Sequence, residues 1–329
     1  MGTIELKNKP TIAYTAAIAG TKEGEGPLGK YFDMVLEDDR WDSKSWEQAE
    51  SKIQKQTALK ALNKGNLTTE DIDYLFAGDL INQCVATHYA VRDLGIPFFG
   101  LYGACSTMVE SMSLGALAVS GGFAKRVMCM TSSHFCGAER QFRNPLEYGG
   151  QRPQSAQWTV TGSGCAILES SGMGPKITHV TPGKIVDLGI CDANNMGAAM
   201  APAAADTLIQ HFRDTGRNAK DYDLILTGDL GIVGSEILCE MAEKEGYNIK
   251  TVHNDCGKMI FDIKEQDVHS GGSGCGCIAT VFCGYIMDKF KKKEYSRILL
   301  MATGALMNTT MLQQGESIPC IAHCISIER

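Results

Sequence analysis

Asp71-Ile72-Asp73-Tyr74-Leu75-Phe76-Ala77-Gly78-Asp79-Leu80 returns later in the chain as Asp221-Tyr222-Asp223-Leu224-Ile225-Leu226-Thr227-Gly228-Asp229-Leu230. The offset is constant, and Asp71, Asp73, Gly78, Asp79 and Leu80 each meet an identical residue. Each copy is a short apolar run of strand length closed by Gly-Asp-Leu. Each follows a helical pattern, Trp46 to Asn63 in the first case and Ala203 to Asp214 in the second. The parallel continues downstream. Ile96 to Tyr102 reads as a strand, Met108 to Ser120 as a helix and Ala124 to Ser132 as a strand. Later, Gly274-Cys275-Gly276-Cys277 opens a helix that leads to a strand from Tyr295 to Thr303. Gly164 to Leu168 closes the first half with an apolar strand, and Ile318 to Ile327 closes the second. Strands alternating with helices imply a mostly parallel sheet covered on both faces. The chain therefore reads as α/β, built of two pseudo-symmetric halves, residues 1–172 and 173–329.

Composition narrows the function. At 329 residues there is room for two such halves. The net charge of -7, with no basic stripe, argues against nucleic acid as a partner. Thirteen scattered cysteines, an odd number, do not make a disulfide framework in a chain without a signal-peptide pattern. They read as small apolar fillers of a reduced interior. Cys275 and Cys277 are too close in sequence for a structural zinc pair, so no metal site is expected. No apolar run approaches the ~20 residues of a membrane span, which leaves a soluble or peripheral protein.

Cys105 is the residue with the clearest chemical signal. It lies in Gly103-Ala104-Cys105-Ser106-Thr107, between a strand and a helix. A helix start is electropositive, favours a thiolate and offers free backbone N–H groups, here those of Ser106 and Thr107. The plainer alternative is a buried small thiol. Asp79 and Asp229 follow strands, where turn or cap chemistry is the ordinary use of aspartate. His134 ends the strand after the Cys105 helix and is within reach of the same region, although a structural histidine is the simpler reading. The stretch from Phe135 to Thr159 is polar, with Arg140, Arg143 and Arg152, and is expected to be a long ordered loop.

Several runs together carry a family resemblance over essentially the whole chain. They are Glu25-Gly26-Pro27-Leu28-Gly29, Ala77-Gly78-Asp79-Leu80, Phe123-Ala124-Lys125-Arg126, Ala138-Glu139-Arg140-Gln141-Phe142-Arg143, Glu147-Tyr148-Gly149-Gly150-Gln151 and Met200-Ala201-Pro202-Ala203-Ala204-Ala205-Asp206. With two αβ halves and a cysteine at a helix start, the chain resembles the stage V sporulation protein AD family. It is also similar, more distantly, to β-ketoacyl-acyl-carrier-protein synthase III. The resemblance implies a thiolase-like αβαβα layered fold. It implies a dipicolinic acid-binding protein that helps load dipicolinate, or calcium dipicolinate, into the forespore. Its implied place is peripheral, at the spore inner membrane, beside other stage V sporulation A membrane proteins. A homodimer is also implied, formed along a strand near Val127 to Thr131. No cofactor is implied, and whether calcium accompanies the ligand stays open.

The same resemblance supplies the competing reading, a thiolase-like acyltransferase with Cys105 as nucleophile. A condensing enzyme of that pattern adds a His after the second-half strand and an Asn in a later loop. Those places hold Gly228-Asp229 and Gly271-Gly272-Ser273-Gly274-Cys275 here. An ionised aspartate would repel an oxyanion. The expectation is therefore a binding protein with a vestigial nucleophile. Its ligand site would lie between the halves and use Asp79, Cys105, Ser106, Thr107, His134, Arg140 and Arg143, with guanidinium groups matching the ligand's carboxylates. Asp79 enters on the resemblance, since an acid beside a dianion is unfavourable.

Overall fold

The computed structural model describes residues 2–142 and 150–329. Residues 11–169 supply strands β1 (Thr11–Ala19), β2 (Tyr74–Gly78), β3 (Phe98–Gly100), β4 (Arg126–Ser133) and β5 (Gly162–Glu169). Residues 176–328 supply β6 (Lys176–Thr181), β7 (Leu224–Thr227), β8 (His253–Asp255), β9 (Arg297–Ala305) and β10 (Cys320–Glu328). Across the sheet the order is β8-β7-β9-β10-β6-β1-β5-β4-β2-β3. Exchanging β1–β5 for β6–β10 maps this order onto its own reverse. At the seam β1 and β6 share one register pair, Thr11 with Lys176. The ten strands thus form two five-stranded units.

Helices complete five layers. Eight of them, in chain order, are α1 (Trp46–Lys64), α2 (Val85–Val91), α3 (Thr107–Ser120), α4 (Phe135–Phe142), α5 (Met196–Thr215), α6 (Gly231–Lys244), α7 (Cys256–Ile260) and α8 (Cys275–Val281). The outer face of the first unit is covered by α1, with α2 packed on it, and that of the second by α5, with α6 packed on it. The middle layer is α3 and α8. Helix α3 packs on β2 and β4 and also on β9 and β10, while α8 packs on β4 and β5. Met108, Met112 and Ala116 of α3 join Ile278 and Val281 of α8 and Leu226 and Leu300 of the second unit in one buried core. Such a helix must be apolar nearly all round, and α3 is. Gly164 makes the close approach possible, because a Cβ there would stand 2.2 Å from the carbonyl oxygen of Ala279.

The repeated aspartates do the same work in both halves. Asp71 caps its turn by accepting the N–H of Thr68, and Asp221 accepts that of Asn218, each at 2.8 Å. Asp73 accepts the N–H groups of Lys125 and Arg126, and Asp223 those of Ser296 and Arg297. Arg126 pairs with Glu169, and Arg297 with Glu328. The internal repeat is thus a repeat of hydrogen bonding at one end of the sheet.

Several expectations change. The sheet is mixed rather than mostly parallel. β2 runs parallel to β3 and β4, but β5 is antiparallel to both β4 and β1, and the second unit follows suit. The strand expected from Ile96 to Tyr102 shortens to β3. The stretch after His134 begins with a helix, α4, not a loop. Its buried residues Gly137, Ala138 and Glu139 make an inward face that local polarity conceals. The strand proposed for dimer contact, Val127 to Thr131, lies inside β4, whose two edges are taken by β2 and β5. No edge is left there for a second chain. Among the described residues, the free edge on that side belongs to β3.

Candidate functional site

A partly enclosed cleft lies where both units meet, at the carboxyl ends of β2 and β9. It is a narrow slot with about 40 Å3 of enclosed space, or about 390 Å3 including its open mouth, so the enclosed part is well below the ~300–1,000 Å3 usual for small-molecule sites. Leu80, Tyr102, Ala104, Cys105, Ala138, Phe142 and Thr159 line it from one side, and Met196, Ser273, Ala305 and Met307 from the other. The walls are mainly apolar. A shallower groove, walled by Asn82, Gln83 and Cys84, shares Tyr102, Phe142 and Met307 with the slot and extends its mouth.

Cys105 is 5% exposed and sits on this wall. The residue before it, Ala104, has φ of 50°. That left-handed conformation strains a residue with a Cβ and turns the chain sharply from β3 toward α3. Gly304 at the end of β9 passes so close that a Cβ would lie 2.2 Å from the carbonyl oxygen of Gly103. One turn from each unit is therefore pressed together at the thiol.

The helix start is less open than expected. Residues 104–106 form a 3-10 turn ahead of α3. The N–H of Ser106 donates to Gly103 and that of Thr107 to Ala104, so neither is a free donor. Their hydroxyls are engaged as well, Ser106 Oγ with Gly103 O and Thr107 Oγ1 with Ala104 O, both at 2.7 Å. A tight first turn satisfies its own orphan groups in this way.

Asp79 is fully buried behind Leu80. Its carboxylate accepts the N–H of Ile81 at 2.7 Å, and the N–H and hydroxyl of Thr87 at 2.8 and 2.6 Å. Burial raises its pKa against those bonds. Asp79 fastens the β2–α2 turn, and the slot wall does not include it. His134 is buried too, but faces elsewhere: its Nε2 donates to the carbonyl of Asp39 at 3.0 Å, and Trp46 lies against its ring. Burial lowers its pKa, so the ring is neutral. Arg140 lies on α4 and pairs with Glu47 of α1. The slot wall includes neither. Arg143 lies outside the described residues.

The second unit brings Asp229 up behind the slot. Its Oδ2 accepts the N–H of Gly274 at 2.9 Å and lies 3.4 Å from Ser273 Oγ, while Oδ1 accepts the Thr303 hydroxyl at 3.0 Å. Gln157 donates to the Asp229 carbonyl at 2.7 Å. The turn duty that Asp79 performs in the first unit passes here to Asp255, which accepts the N–H groups of Leu230 and Gly231. The repeat thus breaks at the site. Another acid, Glu139, is buried beside the slot and accepts the Thr159 hydroxyl at 2.7 Å. Thr159, Met196, Ala305 and Met307 carried no motif. Tyr102 and Met307 sit just past the ends of strands, where clefts of α/β sheets gather their walls, and that position was their one sequence signal.

Ten of the thirteen cysteines are buried, so the residue is used mainly as packing. Cys275 shares the small apolar cluster around Cys105, and its thiol donates to Ser132 O at 2.9 Å. Among the described residues, no group of three or more His, Cys, Asp or Glu is arranged to hold a metal ion. Nor is any helix long and apolar enough to cross a membrane.

Comparison with known proteins gives a consistent picture. The profile of the stage V sporulation protein AD family matches residues 1–328. Stage V sporulation protein AD of Bacillus subtilis (strain 168) is 50% identical over 311 residues, covering 94% of this chain and 92% of that protein. Among solved structures, 3-oxoacyl-[acyl-carrier-protein] synthase III from Aquifex aeolicus VF5 superposes with a TM-score of 0.56 at 13% identity, over 97% of this chain and 100% of its own. Cerulenin-bound OleA of Xanthomonas campestris gives a TM-score of 0.61 at 13% identity, over 99% and 100%. At such identities the likeness is one of fold, and the fold is that of thiolase-like condensing enzymes.

Proposed function

Because the chain belongs to the stage V sporulation protein AD family, we propose that it binds dipicolinic acid in the slot over Cys105 and has no catalytic turnover. In this reading it is the soluble, peripheral subunit of a membrane assembly that moves dipicolinate into the forespore. One observation carries the non-enzymatic part. Cys105 stands at the slot, while the place of the expected second-half His is held by a buried aspartate. Asp229 places a carboxyl that accepts hydrogen bonds where an acyl-transfer intermediate needs donors. Fold alone does not supply the chemistry.

A narrow apolar slot suits a flat aromatic ring better than a branched or bulky one. The ligand's carboxylates need charge-assisted partners. Arg143 is retained for this role on its sequence motif alone. Asp79, Ser106, Thr107, His134 and Arg140 become supports of the surrounding turns and helices. Calcium, where it enters, enters as cargo with the ligand.

Calorimetry with dipicolinate, with and without calcium, tests the reading, with benzoate and pyridine-2-carboxylate as controls. Saturable binding of dipicolinate is expected, weaker for both monocarboxylates and lost in Cys105→Trp while the melting temperature is kept. Absence of dipicolinate binding in both conditions overturns it. Intact mass after incubation with acetyl-CoA separates the acyltransferase reading. An adduct that disappears in Cys105→Ala would favour the enzyme.

A further inference from the structure

The end of the sheet opposite the slot carries two large apolar side chains with almost nothing over them. Phe123 is 78% exposed and Met173 is 96% exposed. They stand on neighbouring turns. Phe123 lies between α3 and β4, and Met173 between β5 and β6; the N–H of Ser170 donates to Lys125 O at 3.0 Å and ties the two turns together. A third turn, residues 7–10, joins them through Asn8, whose Nδ2 donates to Ser120 O at 3.0 Å.

The Phe123 and Met173 turns both contain glycines at positive φ. Gly122, at φ of 78°, ends α3, and the N–H of Phe123 reaches back to Ala118 O. A hydrophobic residue at this point of a helix-ending turn commonly folds back onto the helix. Phe123 leaves most of its ring in water instead. Met173 is flanked by Gly172 and Gly174, both at positive φ.

The charge around them is one-sided. Residues 7–10, 120–125 and 170–176 contain Lys7, Lys9, Lys125 and Lys176, all exposed, and no Asp or Glu, in a chain of net charge -7. Of the acids nearby, Glu169 is engaged with Arg126 and Asp73 with the N–H groups of Lys125 and Arg126, while Glu5, two residues before Lys7, is exposed.

We propose that this face docks on an anionic lipid surface, with Phe123 and Met173 entering the headgroup layer and the lysines meeting its phosphates. Protein–protein interfaces are depleted in lysine, whereas lysines beside inserted apolar groups are the usual pattern at lipid interfaces. Two separate protruding tips also suit a soft layer better than a shaped pocket. The slot then opens away from the membrane. The inference goes beyond the ligand reading and does not depend on it.

Co-sedimentation with protein-free vesicles tests it, comparing phosphatidylcholine alone with a phosphatidylcholine–phosphatidylglycerol mixture. Binding to the anionic vesicles is expected, weakened by salt and about tenfold poorer on the zwitterionic ones. The double variant Phe123→Ser/Met173→Ser should keep its melting temperature and its dipicolinate titration but lose most of this binding. Lys7→Glu/Lys9→Glu, made separately, should weaken it as well. The proposal is overturned if the parent protein ignores anionic vesicles, if the double variant binds as well as the parent, or if binding needs a protein embedded in the vesicle.

Discussion

At the scale of single residues, the slot depends on two glycines and a strained alanine more than on any charged group. Gly103 carries the oxygen that holds Ser106, Ala104 takes the left-handed turn, and Gly304 leaves room for both. Gly304→Ala would push a methyl against the Gly103 carbonyl, a backbone atom that cannot swing aside. The expected cost is about 1–3 kcal/mol, the range of other overpacked sites, together with a displaced Cys105. Urea unfolding reads the stability, and the dipicolinate titration reads the slot. An unchanged unfolding midpoint would mean the turn yields freely.

At the scale of elements, each half hangs its main strands on an aspartate at the far end of the sheet. Asp73 takes two N–H groups at the start of β4, and Asp223 takes two at the start of β9. The geometry is the same in both, so the energetics should be too. Asp73→Ala and Asp223→Ala are each expected to cost about 0.5–2 kcal/mol, as for lost caps and exposed hydrogen bonds. Denaturant titration of both variants checks this. A cost confined to one half would show that the repeat is one of shape and not of stabilisation. Helix α4 shows the limit of local reading at this scale. Its Glu139-Arg140-Gln141 run reads as polar loop, yet Ala138 and Phe142 close the slot.

At the scale of the molecule, buried ionisable groups set the pH range of greatest stability. Burial holds the carboxyl of Glu23 at about 8 and that of Asp255 at about 7, and it raises Glu50 well above the usual carboxylate range. These acids fold in their protonated form. Their stabilisation is complete below a pH of ~4 and is lost as pH rises toward 8. Burial also depresses His211 to about 3, and His253 and His323 to about 4. Their stabilisation is present above ~6.5 and is lost as pH falls toward 3. The two trends leave a maximum at mildly acidic pH, and the melting temperature should fall from there toward both pH 3 and pH 8. Glu23→Gln keeps an acceptor for the N–H of Thr161, which Glu23 holds at 2.9 Å. It should raise stability at pH 8 by a few kcal/mol, at about 1.4 kcal/mol per pKa unit, and leave it unchanged below pH 4. A parallel offset at every pH would mean that charge is not the cause.

The sequence by itself determined the alternation of strands and helices, the two-fold repeat and the place of Cys105 at a helix start. It did so because these are local matters. Periodicity, a capping aspartate and a glycine at a turn act within a few residues of themselves. Asp71 and Asp221, or Asp73 and Asp223, could be matched in the chain because each does its work within its own half. Only the tertiary structure decided the order of the strands, the antiparallel closure of each half and the membership of the slot. Met196 and Ala305 face Cys105 because two units pack through α3 and α8, and nothing near them in sequence says so. Asp79 looked like a ligand residue from its motif. Packing gave its oxygens to Ile81 and Thr87, and a buried carboxylate keeps whichever donors reach it first.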